Sequence, residues 1–235
     1  MIELLQDMHV HSRFSDGRDT IEQNVAEAER LGLRELGCVD HVRAGSDWVP
    51  EYLAATRKAD AATTVALRCA VEAKLLDTAG NLDTPTELSG IDAVYAADHQ
   101  VPLSDGPHTP REIGAMLSER ALSPAEVLQS IVTSTACALA RYPLVVIAHL
   151  FSVLPKVGLD EREVPQDLLE QLASAAKEAE AQIEISERWS CPSARSLRPF
   201  LRREVPLLLS TDSHRSDTIG RYSYCRAVLA ELFDA

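Results

Sequence analysis

Histidines and acidic residues follow a series of short apolar segments along this chain, and their imidazole and carboxylate groups are good ligands for divalent metal ions. In chain order these residues are Asp7, His9, His11, Asp40, His41, Glu72, Asp98, His99, His149, Asp212 and His214. If the apolar segments are parallel strands of a barrel, their carboxyl ends meet at one rim, where the catalytic residues of such folds lie. The sequence therefore predicts a multi-metal site at that rim.

The first and last apolar segments end in motifs in which acidic residues and histidines alternate. Residues two apart in a strand point to the same face, so Asp7, His9 and His11 are expected to project together. The two histidines are placed to bind one ion, whereas Asp7 is expected to accept a hydrogen bond from a ligand histidine and fix its tautomer. Asp212 and His214 repeat this spacing. Each motif alone is a weak signal, and their joint presence favours a metal site.

Glu72 and His149 each follow a strongly apolar segment. A carboxylate is costly to bury unless it is paired or coordinated, so Glu72 is predicted to bridge two cations. The alternative for Glu72 is a surface charge at a strand end, close to Lys74. A neutral core histidine is the usual interpretation of a residue such as His149, but the accompanying candidate ligands favour a metal-binding role.

Three arginines are candidates for binding a phosphate ester, because guanidinium groups hold phosphate oxygens in bidentate geometry. They are Arg43, Arg188 and Arg215, and the strand-end position of Arg188 makes it the strongest of the three. His108 lies in a loop flanked by prolines, which favours a solvated or substrate-facing role over metal binding.

The chain has 235 residues, of which 46% are hydrophobic and 25% charged, as is typical of one α/β domain, here spanning residues 1–235. The formal net charge of -13 disfavours a nucleic-acid partner, because phosphate backbones are bound through Lys and Arg. The five cysteines form no C-x-x-C pair, and no signal peptide or membrane-spanning segment is recognisable. We therefore expect a cytoplasmic protein without a membrane partner and leave its oligomeric state open.

The elements that must position these residues alternate between strands and helices, which predicts a parallel sheet or barrel. The seven predicted strands cover residues 2–10, 35–39, 65–71, 91–97, 144–148, 182–185 and 206–210. Capping boxes that begin at Thr20 and Ser123 predict two helix starts. Further helices are predicted over residues 111–120, 168–181, 194–203 and 219–233.

The order of motifs from Asp7 to His214 resembles that of the PHP (polymerase and histidinol phosphatase) superfamily. The motifs are D-x-H-x-H, S-D-G, D-H, a strand-end Glu, two strand-end His and a final D-x-H. The resemblance implies an α/β fold, a distorted seven-stranded (β/α)7 barrel, with two to three divalent ions (Zn, Fe or Mn) at the carboxyl ends of the strands.

The resemblance also implies which residues bind each ion. The first ion would be held by His9, His11, Glu72 and Asp212, and Glu72 would bridge to a second ion held by His99 and His149. The third would be held by Asp16, His41 and His214. Some members of the superfamily have a histidine at the position of Asp16, and a turn residue before Gly17 is the alternative role for this aspartate.

The activity that the resemblance implies is hydrolysis of a small-molecule phosphate monoester by a metal-activated water, as in a histidinol-phosphatase-like enzyme or a nucleotide phosphatase. The residues expected to act in catalysis are Glu72, Asp98, His99 and Arg188. Asp98 and a metal-free imidazole are the candidate general acids. The segment Glu184-Ile185-Ser186 departs from the Glu-Ile-Asn form of several members, which disfavours histidinol phosphate as substrate. An amidohydrolase-type metal hydrolase and a non-catalytic metal-binding regulatory protein are the alternatives.

Overall fold

Seven parallel strands form a nearly closed sheet in the computed structural model, which describes residues 4–233. In sheet order the strands are β1 (Gln6–Val10), β2 (Glu35–His41), β3 (Ala66–Lys74), β4 (Ala93–Ala97), β7 (Val145–Ala148), β8 (Gln182–Ser186) and β9 (Leu207–Ser210). All seven predicted strands are present, and the predicted distorted (β/α)7 barrel is confirmed. Residues 2–3 of the first predicted strand lie outside the described residues.

The first and last strands meet at the carboxyl end of the barrel. There the backbone N–H of His11 donates to the carbonyl of Ser213 at 2.8 Å, and the N–H of Ser213 donates to the carbonyl of His9 at 3.2 Å. These two bonds bring the candidate ligands of β1 next to those that follow β9.

Within the described residues, seven helices lie on the outside of the barrel, and the last of them follows β9. They are α1 (Ile21–Leu31), α2 (Val49–Asp60), α3 (Pro110–Ser118), α4 (Pro124–Arg141), α5 (Gln166–Glu178), α6 (Ala194–Arg202) and α7 (Tyr224–Phe233). The predicted capping boxes are formed, because the hydroxyls of Thr20 and Ser123 accept backbone N–H bonds from Gln23 and Glu126. Within residues 4–233, no helix has both the length and the apolar character needed to cross a membrane.

The main differences from the sequence prediction concern four elements. Helix α2 and the hairpin of β5 (Val101–Leu103) with β6 (Gly106–His108) were not predicted. Helix α7 begins at Tyr224 instead of residue 219, because the carboxylate of Glu187 accepts the backbone N–H groups at the start of the helix, those of residues 223, 224 and 225. A carboxylate at a helix amino terminus satisfies donors that have no partner inside the helix.

Apolar residues fill both sides of the sheet, which explains why β7 is a continuous Val-Val-Ile-Ala segment without polar alternation. The larger cluster of buried residues includes Val71, Ile147 and Ile183 and packs with the helices. A smaller cluster of alternate strand residues includes Ala70, Tyr95 and other side chains on the opposite face of the sheet. Because Glu72 lies two residues after Ala70, it continues this second face up to the carboxyl rim.

Candidate metal centre

The nine side chains predicted to bind metal lie together at the carboxyl end of the barrel. They are supplied by β1, β2, β3 and the segments that follow β1, β4, β7 and β9: His9, His11, Asp16, His41, Glu72, His99, His149, Asp212 and His214. Because parallel strands end at the same edge, residues separated by up to 200 positions in sequence become neighbours.

Glu72 lies at the centre of this group and is 1% exposed. Its Oε1 lies 2.8 Å from Nε2 of His149 and 3.0 Å from Nε2 of His99. Its Oε2 lies 2.8 Å from Nδ1 of His41 and 3.4 Å from Nε2 of His9. One carboxylate therefore touches histidines from four different strands or strand ends, the arrangement expected of a bridging ligand.

Three histidines lie near the carboxylate of Asp16, on the more exposed side of the rim. Its carboxylate lies 3.2 Å from Nε2 of His214, 3.6 Å from Nδ1 of His11 and 3.7 Å from Nε2 of His41. His11 also lies 3.1 Å from Asp212 through its Nε2. His11 is therefore shared between this set and the group that contains Asp212.

Three groups of side chains have donor atoms close enough to hold one ion each, all within 4.8 Å of one another. They are His9 with His11 and Asp212, His41 with Glu72 and His99, and His11 with Asp16, His41 and His214. For comparison, two ligands about 2.0–2.1 Å from a tetrahedral zinc ion are about 3.3 Å apart. These groups overlap with the predicted sets but are not identical to them, because His41 joins the Glu72 group and His149 is in none of the three.

The donor atoms of the rim fit a cation. Among the residues from 4 to 233, the buried side-chain atoms without a hydrogen-bond partner include His9 Nε2, both ring nitrogens of His11, Glu72 Oε2 and Asp212 Oδ1. Buried polar atoms are costly to leave unpaired, and these are lone-pair donors that face one another. A divalent ion is the partner that satisfies nitrogen and carboxylate oxygen together.

Two of the histidines, His9 and His149, each contact a supporting group through Nδ1, while their Nε2 lies near Glu72. Nδ1 of His9 lies 2.9 Å from Glu184 Oε2, and Glu184 in turn accepts a bond from Ser210 at 2.5 Å. Nδ1 of His149 lies 3.1 Å from the hydroxyl of Ser152, which donates to Asp98 at 2.7 Å. Such contacts fix the tautomer in which Nε2 faces the metal.

No supporting role was predicted for Glu184, although a carboxylate between Ile183 and Ile185 in a buried strand is a usable signal. The role predicted for Asp7 was wrong. Its carboxylate instead accepts bonds from the backbone and hydroxyl of Thr211, at 2.9 and 2.6 Å, and from the backbone of Gly220 at 2.9 Å. Asp7 thus joins β1 to the segments after β9, at the junction between the two edge strands of the sheet.

The carboxylate of Asp212 accepts a hydrogen bond from the indole of Trp189. Nε1 of Trp189 donates to Asp212 Oδ2 at 2.6 Å, which leaves Oδ1 for His11. Asp40 plays a similar supporting role for the loop that carries Asp16, because it accepts bonds from the hydroxyls of Ser12 and Ser15 at 2.6 and 2.5 Å.

The charges at the rim are strongly coupled. Burial alone would raise the pKa of Glu72, but the surrounding histidines, led by His99, hold it well below its usual value. Burial opposes protonation of His9 and His149, yet the carboxylates beside them raise the pKa of His9 well above its usual value and that of His149 to about 10. The pKa of His11 is lowered, chiefly by burial.

A cavity of about 730 Å³ opens over the rim, with Glu72, His41 and His99 in its lining. The other lining residues include three aromatic and three cationic side chains, namely Phe14, Trp48, Trp189, Arg43, Lys74 and Lys156. The cavity is therefore suited to a small anion that carries an organic group.

The three predicted substrate-binding arginines are not all in this cavity. Arg43 lines it, whereas Arg188 and Arg215 line a recess of about 320 Å³ on the other side of His214. Nη1 of Arg188 lies 2.8 Å from Nδ1 of His214. Arg215 is exposed and paired with Asp217 at 2.7 Å. His108, excluded from the predicted metal set, lies on strand β6 with Nε2 2.9 Å from Asp105.

A model of the PHP domain matches residues 7–188 of the chain. No curated protein matches the chain. Asp212 and His214 lie beyond the matched residues, and the fold brings them to the rim.

Two solved structures share the fold. Histidinol phosphate phosphatase (HisK) from Lactococcus lactis subsp. lactis Il1403, in complex with zinc, L-histidinol and phosphate, has a TM-score of 0.68 and 17% identity, over 97% of this chain and 93% of that chain. A protein from Listeria monocytogenes, assigned as the histidinol phosphatase hisK, has a TM-score of 0.58 and 12% identity. The match covers 92% of this chain and 97% of that chain. At these identities the likeness establishes the fold alone.

Proposed function

This chain belongs to the PHP domain family, and from that premise we propose that it is a metal-dependent phosphatase that hydrolyses a phosphate monoester of a small molecule. The observation that carries the proposal is the position of Glu72, a buried carboxylate surrounded by histidine rings at the floor of an open cavity. A closed four-ligand structural site would need neither so many donors nor a cavity above them.

We assign the ions as the family resemblance implies. The contacts of Glu72 with His99 and His149 support the second set, whereas the donor atoms also place His41 beside Glu72. His9, His11, Glu72 and Asp212 would hold the first ion, His99 and His149 would share Glu72 at the second, and Asp16, His41 and His214 would hold a third. Two to three divalent ions of Zn, Fe or Mn suit these imidazole and carboxylate donors. The whole span of residues 1–235 then acts as one domain, because the last two ligands follow β9.

Bound ions would supply a water of lowered pKa and charge to stabilise the phosphoryl oxygens. Side chains of the cavity would bind the substrate. Arg43 and Lys74 give the cavity wall positive charge that attracts the phosphate ester. The rings of Phe14 and Trp48, whose centroids are 5.7 Å apart, form an apolar wall on which the organic part of the substrate can pack.

We give Asp98 a positioning role in this reaction. Sequence analysis offered it as a candidate general acid, but its carboxylate is 2% exposed and binds Ser152 behind His149. Such a group acts on the ring of His149 and not on a leaving oxygen in the cavity. The substrate class that we propose is a small phosphate monoester of the histidinol phosphate or nucleotide type. The structure of the Lactococcus protein contains zinc, L-histidinol and phosphate.

The test is metal analysis of the purified protein combined with phosphate release from a panel of small phosphates, including histidinol phosphate and nucleotide bisphosphates. Glu72→Ala should lower metal content and reduce turnover by about 100-fold or more, because it removes the carboxylate that the proposed ions share. Glu51→Ala, at an exposed position of helix α2, is the matched control and should leave both unchanged. Full activity and metal occupancy in the Glu72 variant would overturn the proposal, and cleavage of lactones or amides without phosphate release would favour the amidohydrolase alternative.

A further inference from the structure

Lys156 lies in the 3-10 turn Leu154–Val157 that follows β7, and its side chain lines the same cavity as Glu72 and His99. Its Nζ lies 3.9 Å from the centroid of the Trp189 ring. A cation at this distance from the face of an indole is attracted by the ring's quadrupole. This contact places the ammonium group on the cavity wall, beside the face of the indole.

Trp189 fixes that position relative to the metal-binding residues. Its Nε1 donates to Asp212 at 2.6 Å, and its ring centroid lies 5.8 Å from that of His149. The indole thus contacts candidate ligands with one edge and the ammonium with its face. Trp189 therefore links Lys156 to the candidate metal-binding residues.

We propose that Lys156 is the general acid that protonates the leaving oxygen of the phosphate monoester, an inference that rests on the proposed phosphatase function. In the step, water forms a bond to phosphorus and releases one proton to the solvent, while the bond from phosphorus to the ester oxygen breaks. The electron pair of that bond goes to the ester oxygen, which takes a proton from Nζ and leaves as an alcohol. The neutral amine regains a proton from the solvent, and the products are phosphate and the alcohol.

The other cationic side chains of the cavity are less suited to this step. Lys74 faces Asp83, with Nζ 4.0 Å from its carboxylate, and so lies beside a fixed counter-charge. Arg43 cannot lose a proton in the accessible pH range. Among residues 4–233, Lys156 has an aromatic neighbour and no carboxylate within 4.0 Å, so it can alternate between its charged and neutral forms.

The surroundings of Lys156 also favour proton transfer. Its partial burial lowers the pKa of its ammonium group below the usual value, and the charge of Arg188 acts in the same direction. The carboxylates of Asp98 and Asp212 and the thiol of Cys191 oppose this shift, without reversing it. A lysine whose pKa moves towards the working pH becomes a better general acid.

The experiment compares two substrates whose leaving groups differ in basicity, an alkyl phosphate and p-nitrophenyl phosphate. Only the alkyl phosphate needs a proton on its departing oxygen. Lys156→Met should lower kcat with the alkyl phosphate by about 100-fold or more. Its kcat with p-nitrophenyl phosphate should change by less than about 10-fold, a difference that loss of folding or of metal cannot produce.

Lys156→Arg separates proton donation from positive charge. It keeps a cation over Trp189 but cannot release a proton, so it should lose activity on the alkyl phosphate as the Met variant does. The loss at high pH in the profile of kcat/KM for the alkyl phosphate should also disappear in both variants. Lys58→Met, at an exposed position of helix α2, is the control and should behave as the wild type.

Equal losses on both substrates, or full activity of Lys156→Arg on the alkyl phosphate, would overturn the role of Lys156. A wild-type protein that releases phosphate from neither substrate would instead contradict the proposed phosphatase function, so the two failures are distinct. Metal content, which should be unchanged in all three variants, shows independently that the centre is intact.

Discussion

Glu72 has two oxygens and lies within 3.6 Å of five histidine rings. Without metal, the negative charge of this carboxylate is balanced by protons on the neighbouring rings, which is why the pKa values of His9, His41 and His149 are raised against the effect of burial. Protons and metal ions therefore compete for the same nitrogen atoms.

This competition predicts that metal binding releases protons. With a pKa of about 10, His149 is protonated in the metal-free protein at pH 8, and it must lose that proton to bind an ion. Apparent metal affinity should therefore rise as the pH increases towards 10. Titration of zinc into chelator-treated protein in weakly buffered solution with a pH indicator measures the release directly. Binding with no proton release and a flat affinity between pH 6 and 9 would contradict the assignment.

The same shift has a consequence for the stability of the metal-free protein. His149 has a folded-state pKa of about 10, above the value of about 6.5 expected in the unfolded chain. Its contribution to the free energy of unfolding is therefore present in full below pH 6.5 and is lost as the pH rises through 10.

Glu184 should act on metal affinity chiefly through His9, with which it makes a direct contact. We expect Glu184→Gln to weaken metal binding by about 10-fold to 100-fold, because the neutral amide no longer favours the His9 tautomer that presents Nε2. Competition with a chelator of known affinity measures the effect. Glu178→Gln, at an exposed site on helix α5, is the control, and an affinity within about 2-fold of wild type in the Glu184 variant would contradict the predicted role.

At the level of individual residues, the sequence predicted which side chains gather at the rim but not how they share their contacts. The alternation in β1 shows that His9 and His11 are on one side of the strand. It cannot show that Asp7, at the same spacing, turns instead to Thr211 and Gly220, because those partners belong to the far end of the chain.

At the level of elements, the junction between β1 and the segments after β9 depends on Asp7. We expect Asp7→Ala to lower the free energy of unfolding by about 2–3 kcal/mol at pH 8, because it leaves buried backbone donors unpaired. Burial raises the pKa of Asp7 to about 6, so the measurement at pH 8 refers to the ionised carboxylate. Urea unfolding gives the difference. Asp47→Ala, in the exposed loop before helix α2, is the control, and equal stability of the two variants would refute the predicted link.

The strands were predictable because each is a buried apolar segment, and α1 and α4 because their capping residues lie beside them in sequence. Helix α2 has no such signal. Its first residues follow Trp48, whose side chain makes no capping bond, and its apolar positions include only a few large residues. The β5 and β6 strands have three residues each and contain prolines, so their pairing is set by the surrounding structure and not by local pattern.

At the scale of the whole molecule, every strand end around the barrel except that of β8 supplies a candidate ligand, so ions bound as proposed would add links between these segments. We expect removal of metal by a chelator to lower the thermal unfolding temperature by about 5–10 °C, since an ion at 100 times its Kd stabilises by about 2.7 kcal/mol. Differential scanning calorimetry before and after chelation, with zinc added back, measures this. An unchanged unfolding temperature would show that the ions are not part of the folded framework.

The contact between the first and last strands also sets an order in time. His9 leaves the ribosome about 200 residues before Asp212, which at about 5–20 residues per second is a delay of about 10–40 s. During that interval the nascent chain has the early histidines and Glu72 but not the residues that close the rim. Under the proposed assignment, the complete metal centre therefore forms only after β9 and the residues that follow it have been synthesised.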